Sequence, residues 1–244
     1  MGIENGEPVG LKRRDFLALA EGLVSAMALG ACLGAGTSHA ATVTFAESQC
    51  GDNSLKGKRL LVTYASKYGS TGGIADAIGQ ALCTKGATAD ILLIKNVLDL
   101  SPYQGVIVGS PVYMGKWLPE ATDFVHKHAE ALRPMPVAYF LACMTLREPT
   151  QENMAKALAY LDPVLKTTPE IKPVGIGAFA GALDYSNLSW VTRRVMKSKD
   201  APEGDFRDWK AIRAWAEASA FAKSMTSPDS RTPPAAALAP AGPR

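Results

Sequence analysis

The sequence is poor in four things. It has three histidines in 244 residues. Of these, His126 and His128 are two apart and would point to different sides of a helix, so no histidine metal centre is expected. It lacks a strong excess of charge: 26 Lys and Arg against 23 Asp and Glu leave a formal +3, too little to argue for a nucleic-acid partner. It has four cysteines, Cys32, Cys50, Cys83 and Cys143. Loss of a leader before residue 41 leaves three, or four if Cys32 becomes the mature end, and the odd remainder speaks against a disulfide framework. Cys83 reads as a small buried apolar residue on a helix. Finally, no uninterrupted apolar run reaches the roughly 20 residues that a membrane span needs. No carboxylate pair or triad calls for separate acid–base catalysis.

What is present is 47% hydrophobic residues, enough for one sizeable core. The first forty residues read as a leader outside that core. Lys12-Arg13-Arg14-Asp15-Phe16-Leu17 precedes a weakly apolar run, 18–33, interrupted by Glu21, and Ser38-His39-Ala40 closes it with a small-x-small pattern. This resembles a twin-arginine (Tat) signal peptide cleaved after Ala40, and it implies an exported, periplasmic or extracytoplasmic protein. Leu29-Gly30-Ala31-Cys32 offers a second processing route, because it looks like a lipobox that would leave Cys32 lipid-anchored. Residues 41–57 read as a linker, 58–226 as the folded domain, and 227–244 as a disordered Pro/Ala-rich tail.

The domain is organised around residues 59–74. An apolar run, Leu60 to Ala65, stops at Ser66-Lys67-Tyr68-Gly69-Ser70-Thr71, and Ile74, Ala75, Ile78 and Leu82 then recur at helical spacing. A strand, a hydroxyl-rich turn and a helix in that order place free N–H groups and the positive end of a helix dipole together, which suits a phosphate. Further strands are expected at 89–94, 105–110, 137–142 and 173–180. Helices are expected at 119–132, 152–165, 189–199 and 205–225, the last capped by Asp205 with Trp209, Ile212, Trp215 and Ala216 toward the sheet. Strands alternating with helices over short links give a doubly wound, five-stranded parallel α/β sheet of order 2-1-3-4-5, with helices on both faces.

Ligands bind such sheets outside the carboxyl ends of the strands. Three loops meet there. The first is Ser66 to Thr71. The second is Ser110, Pro111, Val112, Tyr113, Met114, Gly115, Lys116 and Trp117. The third runs through Ala142, Cys143, Met144 and Thr145. A planar redox ring needs an aromatic face, and Tyr113 and Trp117 are the candidate stackers. Cys143 and Met144 would edge the ring.

Ser66-Lys67-Tyr68-Gly69-Ser70-Thr71 resembles the FMN phosphate loop of flavodoxins, usually Thr-x-Thr-Gly-x-Thr. It departs at Ser66, which keeps a hydroxyl, and at Tyr68, whose hydroxyl lies too far out. Later segments, Phe179-Ala180-Gly181-Ala182-Leu183-Asp184-Tyr185, Trp190, Arg193-Arg194-Val195-Met196-Lys197 and Gly204-Asp205-Phe206-Arg207-Asp208-Trp209, look like the flavodoxin-type, menaquinone-dependent protoporphyrinogen oxidases. The resemblance implies FMN, a flavodoxin-like fold, and electron transfer between a porphyrinogen-like donor and a quinone. It also implies contact with a membrane surface through Arg193, Arg194, Lys197 and Lys199. The oxidases of this type act at the cytoplasmic face, whereas this chain carries an export leader. An enzyme and an electron carrier serving partner redox proteins both fit. Carriers usually bear an acidic face near the flavin edge, and here the exposed stretch is basic.

Overall fold

The computed structural model describes residues 45–51, 58–198, 201–219 and 221. The leader, Cys32, Lys199 and the tail lie outside these residues.

Five parallel strands form the centre: β2 (Arg59–Tyr64), β3 (Thr88–Leu93), β4 (Gly105–Tyr113), β6 (Val137–Ala142) and β7 (Gly175–Phe179). Their order across the sheet is β3-β2-β4-β6-β7, the expected 2-1-3-4-5. Leu60 to Tyr64 are all buried, so β2 is covered on both faces, as a central parallel strand must be. One edge carries a strand the sequence reading missed. Residues expected to belong to a linker form β1 (Ser48–Cys50), antiparallel to β3.

On one face lie α1 (Ser70–Cys83) and α7 (Trp209–Ala218). Their buried stripes, Ile74, Ile78 and Leu82 with Ile212 and Ala216, pack on Val62, Ile107 and Phe140. The other face is covered by α2 (Pro119–Lys127), α3 (Ala129–Leu132), α4 (Gln151–Ala159) and α5 (Asp162–Thr167), through Phe124, Leu132, Ala157 and Val164. Each expected long helix at 119–132 and 152–165 is thus two shorter ones. The break at His128 has φ −105° and ψ 14°, and Pro163 starts α5.

The last helix begins at Trp209, not at 205. Its cap is Asp208, whose carboxylate accepts the N–H groups of Lys210 and Ala211 at 3.0 and 2.9 Å. Trp209 and Trp215 pack partly buried against the sheet.

The expectation of unpaired cysteines fails. Cys50 and Cys83 form a disulfide between β1 and the end of α1, and Cys143 is free and buried. The odd count misled because Cys143 stands apart in the core. At the amino ends of the strands, buried Asp90 accepts from Arg59 Nη2 at 2.7 Å, Tyr103 Oη at 2.8 Å and Gln49 Nε2 at 2.8 Å. That hub ties β1, β2, β3 and the approach to β4 together at the end remote from the loops.

Candidate cofactor-binding site

Residues 65–69 turn the chain from β2 into α1. Gly69 is the N-cap at φ 87°, left-handed backbone that a side chain would strain. Its N–H donates to Ser66 Oγ at 3.0 Å, which leaves the Ser66 hydroxyl hydrogen to donate elsewhere. No side chain caps α1, and its first turn holds no acidic residue. Its leading N–H groups therefore lack intrahelical acceptors and sit at the positive end of the dipole. Thr71 Oγ1 is fully buried and without a partner among the described residues. A buried hydroxyl left so is unfavourable. One anion with several oxygens would satisfy this whole set, so the donor set fits a phosphate.

The second loop is a tight hairpin. Strand β4 runs on to Tyr113, and β5 (Lys116–Trp117) pairs back on it, Tyr113 opposite Lys116 and Val112 opposite Trp117. Between them Met114 and Gly115 have φ 52° and 80°, the two positive values of a type I′ turn. Strand alternation then sends Lys116 to solvent and Trp117 inward. Trp117 is 3% exposed, its ring standing edge-on to Tyr139 with centroids 5.4 Å apart. It is a core residue. Tyr113 alone of the two expected stackers faces the cavity.

In the third loop, Cys143 N–H donates to Phe179 O at 3.0 Å, holding β6 to β7 as the chain enters a 3₁₀ turn, Met144–Arg147. Burial pushes the Cys143 thiol up from its ordinary value, so it is a wall and not a thiolate nucleophile.

The three loops enclose a cavity of about 580 Å³. Every residue expected in the three loops lines it except Gly69, Ser110, Lys116 and Trp117. Gly69 lines an adjoining cavity of about 570 Å³ with Ser70 and Arg207. Lys67 bridges the first two loops: its Nζ is 3.7 Å from the Tyr113 ring centroid and 5.5 Å from that of Tyr68. The contact with Tyr113 is the main reason its ammonium is pushed up.

The opposite wall was missed. After β7 the chain forms β8 (Ala182–Leu183), a 3₁₀ turn (Tyr185–Asn187), α6 (Trp190–Ser198) and β9 (Gly204–Asp205), which pairs with β8. Leu183, Leu188, Val191, Val195 and Met196 of this insert face the cavity. So do Arg147 and Tyr160. A signal was there: Val191 and Val195 are four apart, on one stripe of α6, and Leu188 stands just before it. Outside, Trp190 is 78% exposed. Arg193 Nη2 donates to Ser186 O and Leu188 O at 3.4 and 3.3 Å, so this cation is engaged within the insert. Arg194 and Lys197 lie on the same helix, Lys197 over the Tyr185 ring at 5.4 Å.

The family model described as a flavodoxin domain matches residues 61–208, more than half the chain. The protoporphyrinogen IX dehydrogenase [quinone] of Escherichia coli K12 is 24% identical over 172 residues, covering 68% of this chain and 94% of the relative. The same-named protein of E. coli O157:H7 matches to the same extent. Among solved structures, two-electron reduced Megasphaera elsdenii flavodoxin is 16% identical at a TM-score of 0.41, over 64% of this chain and 97% of the other. Oxidised flavodoxin 2 of Bacillus cereus is 22% identical at 0.42, over 68% and 99%. The strand order, the phosphate-shaped turn and the matched family model agree, and the chain belongs to the flavodoxin family of FMN proteins.

Proposed function

We propose that this protein is an exported FMN oxidoreductase that passes electrons between a reduced, porphyrinogen-like donor and a quinone. The observation that carries the reading is the apolar insert wall, Leu183, Leu188, Val191, Val195 and Met196, facing the three loops across one cavity. A flat apolar reactant would sit against such a wall. The relative named as a quinone-linked dehydrogenase supports the same assignment.

In this reading Ser66, Ser70, Thr71 and the N–H groups of the turn hold the phosphate. Tyr113, Met114, Cys143 and Met144 border the ring, and Lys67 closes the gap between the first two loops. Bound there, FMN supplies one- and two-electron chemistry, while the protein sets its orientation and its electrostatic surroundings.

Export rests on the twin-arginine leader, and the Cys50–Cys83 disulfide supports it because such bonds persist in oxidising compartments. The outer face of α6, with Trp190, Arg194 and Lys197, suits the surface of an anionic membrane, where a quinone pool resides.

The purified protein is expected to be yellow, with about one FMN per chain. Reduced anaerobically, it should reoxidise on addition of a water-soluble quinone at a rate that saturates. Reoxidation by an added redox protein but by no quinone would make it an electron carrier instead. A colourless protein that takes up no FMN would end both readings.

A further inference from the structure

We propose that Arg207 is a positioning residue for the phosphate end of the flavin site, acting through the backbone of α1. The proposal rests on the FMN reading above. Arg207 follows β9, and β9 is laid against β8 by its pairing with Ala182 and Leu183 and by the Phe206 N–H, which donates to Gly181 O at 3.2 Å. This ribbon delivers the guanidinium to the first turn of α1, 137 residues earlier in the chain. There Nη1 donates to Ser70 O at 3.0 Å.

Other parts of the side chain are engaged as well. Nε and Nη2 donate to the two Asp205 oxygens at 2.8 and 2.6 Å. The guanidinium lies over the Trp209 ring, 4.4 Å from its centroid. The side chain is 17% exposed. Gly73 makes room for it: a Cβ there would lie 2.7 Å from Nη1.

A cation at the amino end of a helix opposes the dipole, so its placement needs a reason. Asp205 offsets part of the charge, and its own carboxyl is held below the usual range chiefly by the Arg207 hydrogen bonds. Two observations give the rest of the reason. Gly69 leaves α1 without a side-chain cap, and the Gly69 N–H bond to Ser66 Oγ holds the turn without reaching the Ser70 peptide. Thr71 Oγ1, one residue beyond the pinned carbonyl, is buried, on the cavity wall and without a partner among the described residues. By fixing the Ser70 peptide, Arg207 sets the direction in which the N–H of Thr71 and its hydroxyl face the phosphate. It also leaves a positive charge close to where a dianion binds. The insert and the phosphate turn are therefore coupled through one side chain.

The test compares FMN with riboflavin, which lacks the phosphate, on apoprotein of the full mature chain. In the wild type FMN should bind far more tightly than riboflavin. In Arg207→Gln the FMN dissociation constant should rise about tenfold or more, the order expected for losing one charge-assisted hydrogen bond, while that of riboflavin changes less than twofold. Arg207→Lys, which keeps the charge but not the fork, should fall between. If Arg207→Gln does not fold, Arg207→Lys and inorganic phosphate titrated into wild-type and variant apoprotein, read from the amide resonances of Gly69, Ser70 and Thr71, carry the same comparison. An equal loss of FMN and riboflavin would make Arg207 merely structural and overturn the proposal, as would no loss of either. A wild-type protein that binds neither flavin would instead sink the FMN reading itself.

Discussion

On one side of the cavity the wall is made by the ends of strands. Tyr64, Tyr113 and Ala142 each finish a strand locked in register with its neighbours, Tyr64 opposite Leu93 and Pro111 opposite Ala142. On the other side the wall is a helix and a two-residue ribbon, in which α6 contains no buried residue at all. The first wall cannot move without disturbing the sheet. The second rests on few contacts and can change its apolar face without affecting the core. Apart from Arg207 at the foot of the ribbon, the cofactor should therefore depend on the strand ends, and the reactant that meets it on the insert.

The largest expected effect lies beneath the strand-end wall. Trp117→Ala empties a packed position between β5 and Tyr139, and a buried aromatic lost to alanine costs about 3–5 kcal/mol. Chemical denaturation should show that loss in apoprotein as well as in the flavin-loaded form. Loss of FMN with undiminished apoprotein stability would return Trp117 to the role of stacker and blur the contrast between the walls.

Thr71→Val should separate binding from stability in the opposite sense. The substitution removes a buried hydroxyl that has no partner among the described residues. Apoprotein should be unchanged or more stable by up to about 1 kcal/mol. FMN should bind about tenfold more weakly, because a hydrogen bond to a charged phosphate is gone. Calorimetry of FMN binding beside thermal melts of the apoprotein checks both signs.

On the insert, Val191→Ser combined with Val195→Ser should leave the FMN dissociation constant within about twofold and raise the quinone KM severalfold, on the order expected for removing two half-exposed apolar side chains that a reactant would cover. A large loss of FMN would show that the insert belongs to the cofactor wall and would undo the distinction.

The two walls were also unequally legible in the sequence. The strand ends could be read because each ends a continuous apolar run at a burst of Gly, Ser and Thr, and parallel topology forces such ends together. Trp117 was misassigned because an aromatic in a presumed loop looks available. Only the type I′ turn at Met114 and Gly115 fixes the alternation that turns it inward. The insert was noticed for its charges, which lie outside, while the apolar Leu188, Val191 and Val195 went unused. Residues 48–50 looked like linker because an edge strand of three residues carries no periodicity. Their hold on the domain comes from partners distant in sequence: Asp90 for Gln49, Asp76 for Ser48 at 2.8 Å, and Cys83 for Cys50. Arg207 was invisible as a site residue for the same reason, since its target, Ser70, is 137 positions away.

The smallest effect expected lies at the far end of the sheet from both walls and serves as their control. Burial, and then the hydrogen bond to Asp90, push the Tyr103 phenol up to about 12, against about 10 in an unfolded chain. A group whose pKa is raised on folding contributes stability that is complete below the unfolded value and is lost as pH climbs toward the folded one. Stability should thus fall between about pH 10 and 12. Tyr64 shares the window, because its phenol is likewise pushed to about 12, mainly by burial, so Tyr103→Phe should make the decline shallower without abolishing it. At neutral pH the same substitution costs about 1 kcal/mol for the lost hydrogen bond, while Arg59 and Gln49 still hold Asp90. FMN affinity should not move, since the hub sits at the amino ends of the strands. Denaturation midpoints of the two proteins at pH 8, 10 and 11.5 decide the matter: parallel declines would mean that Tyr103 ionises in the folded state as it does in the unfolded one.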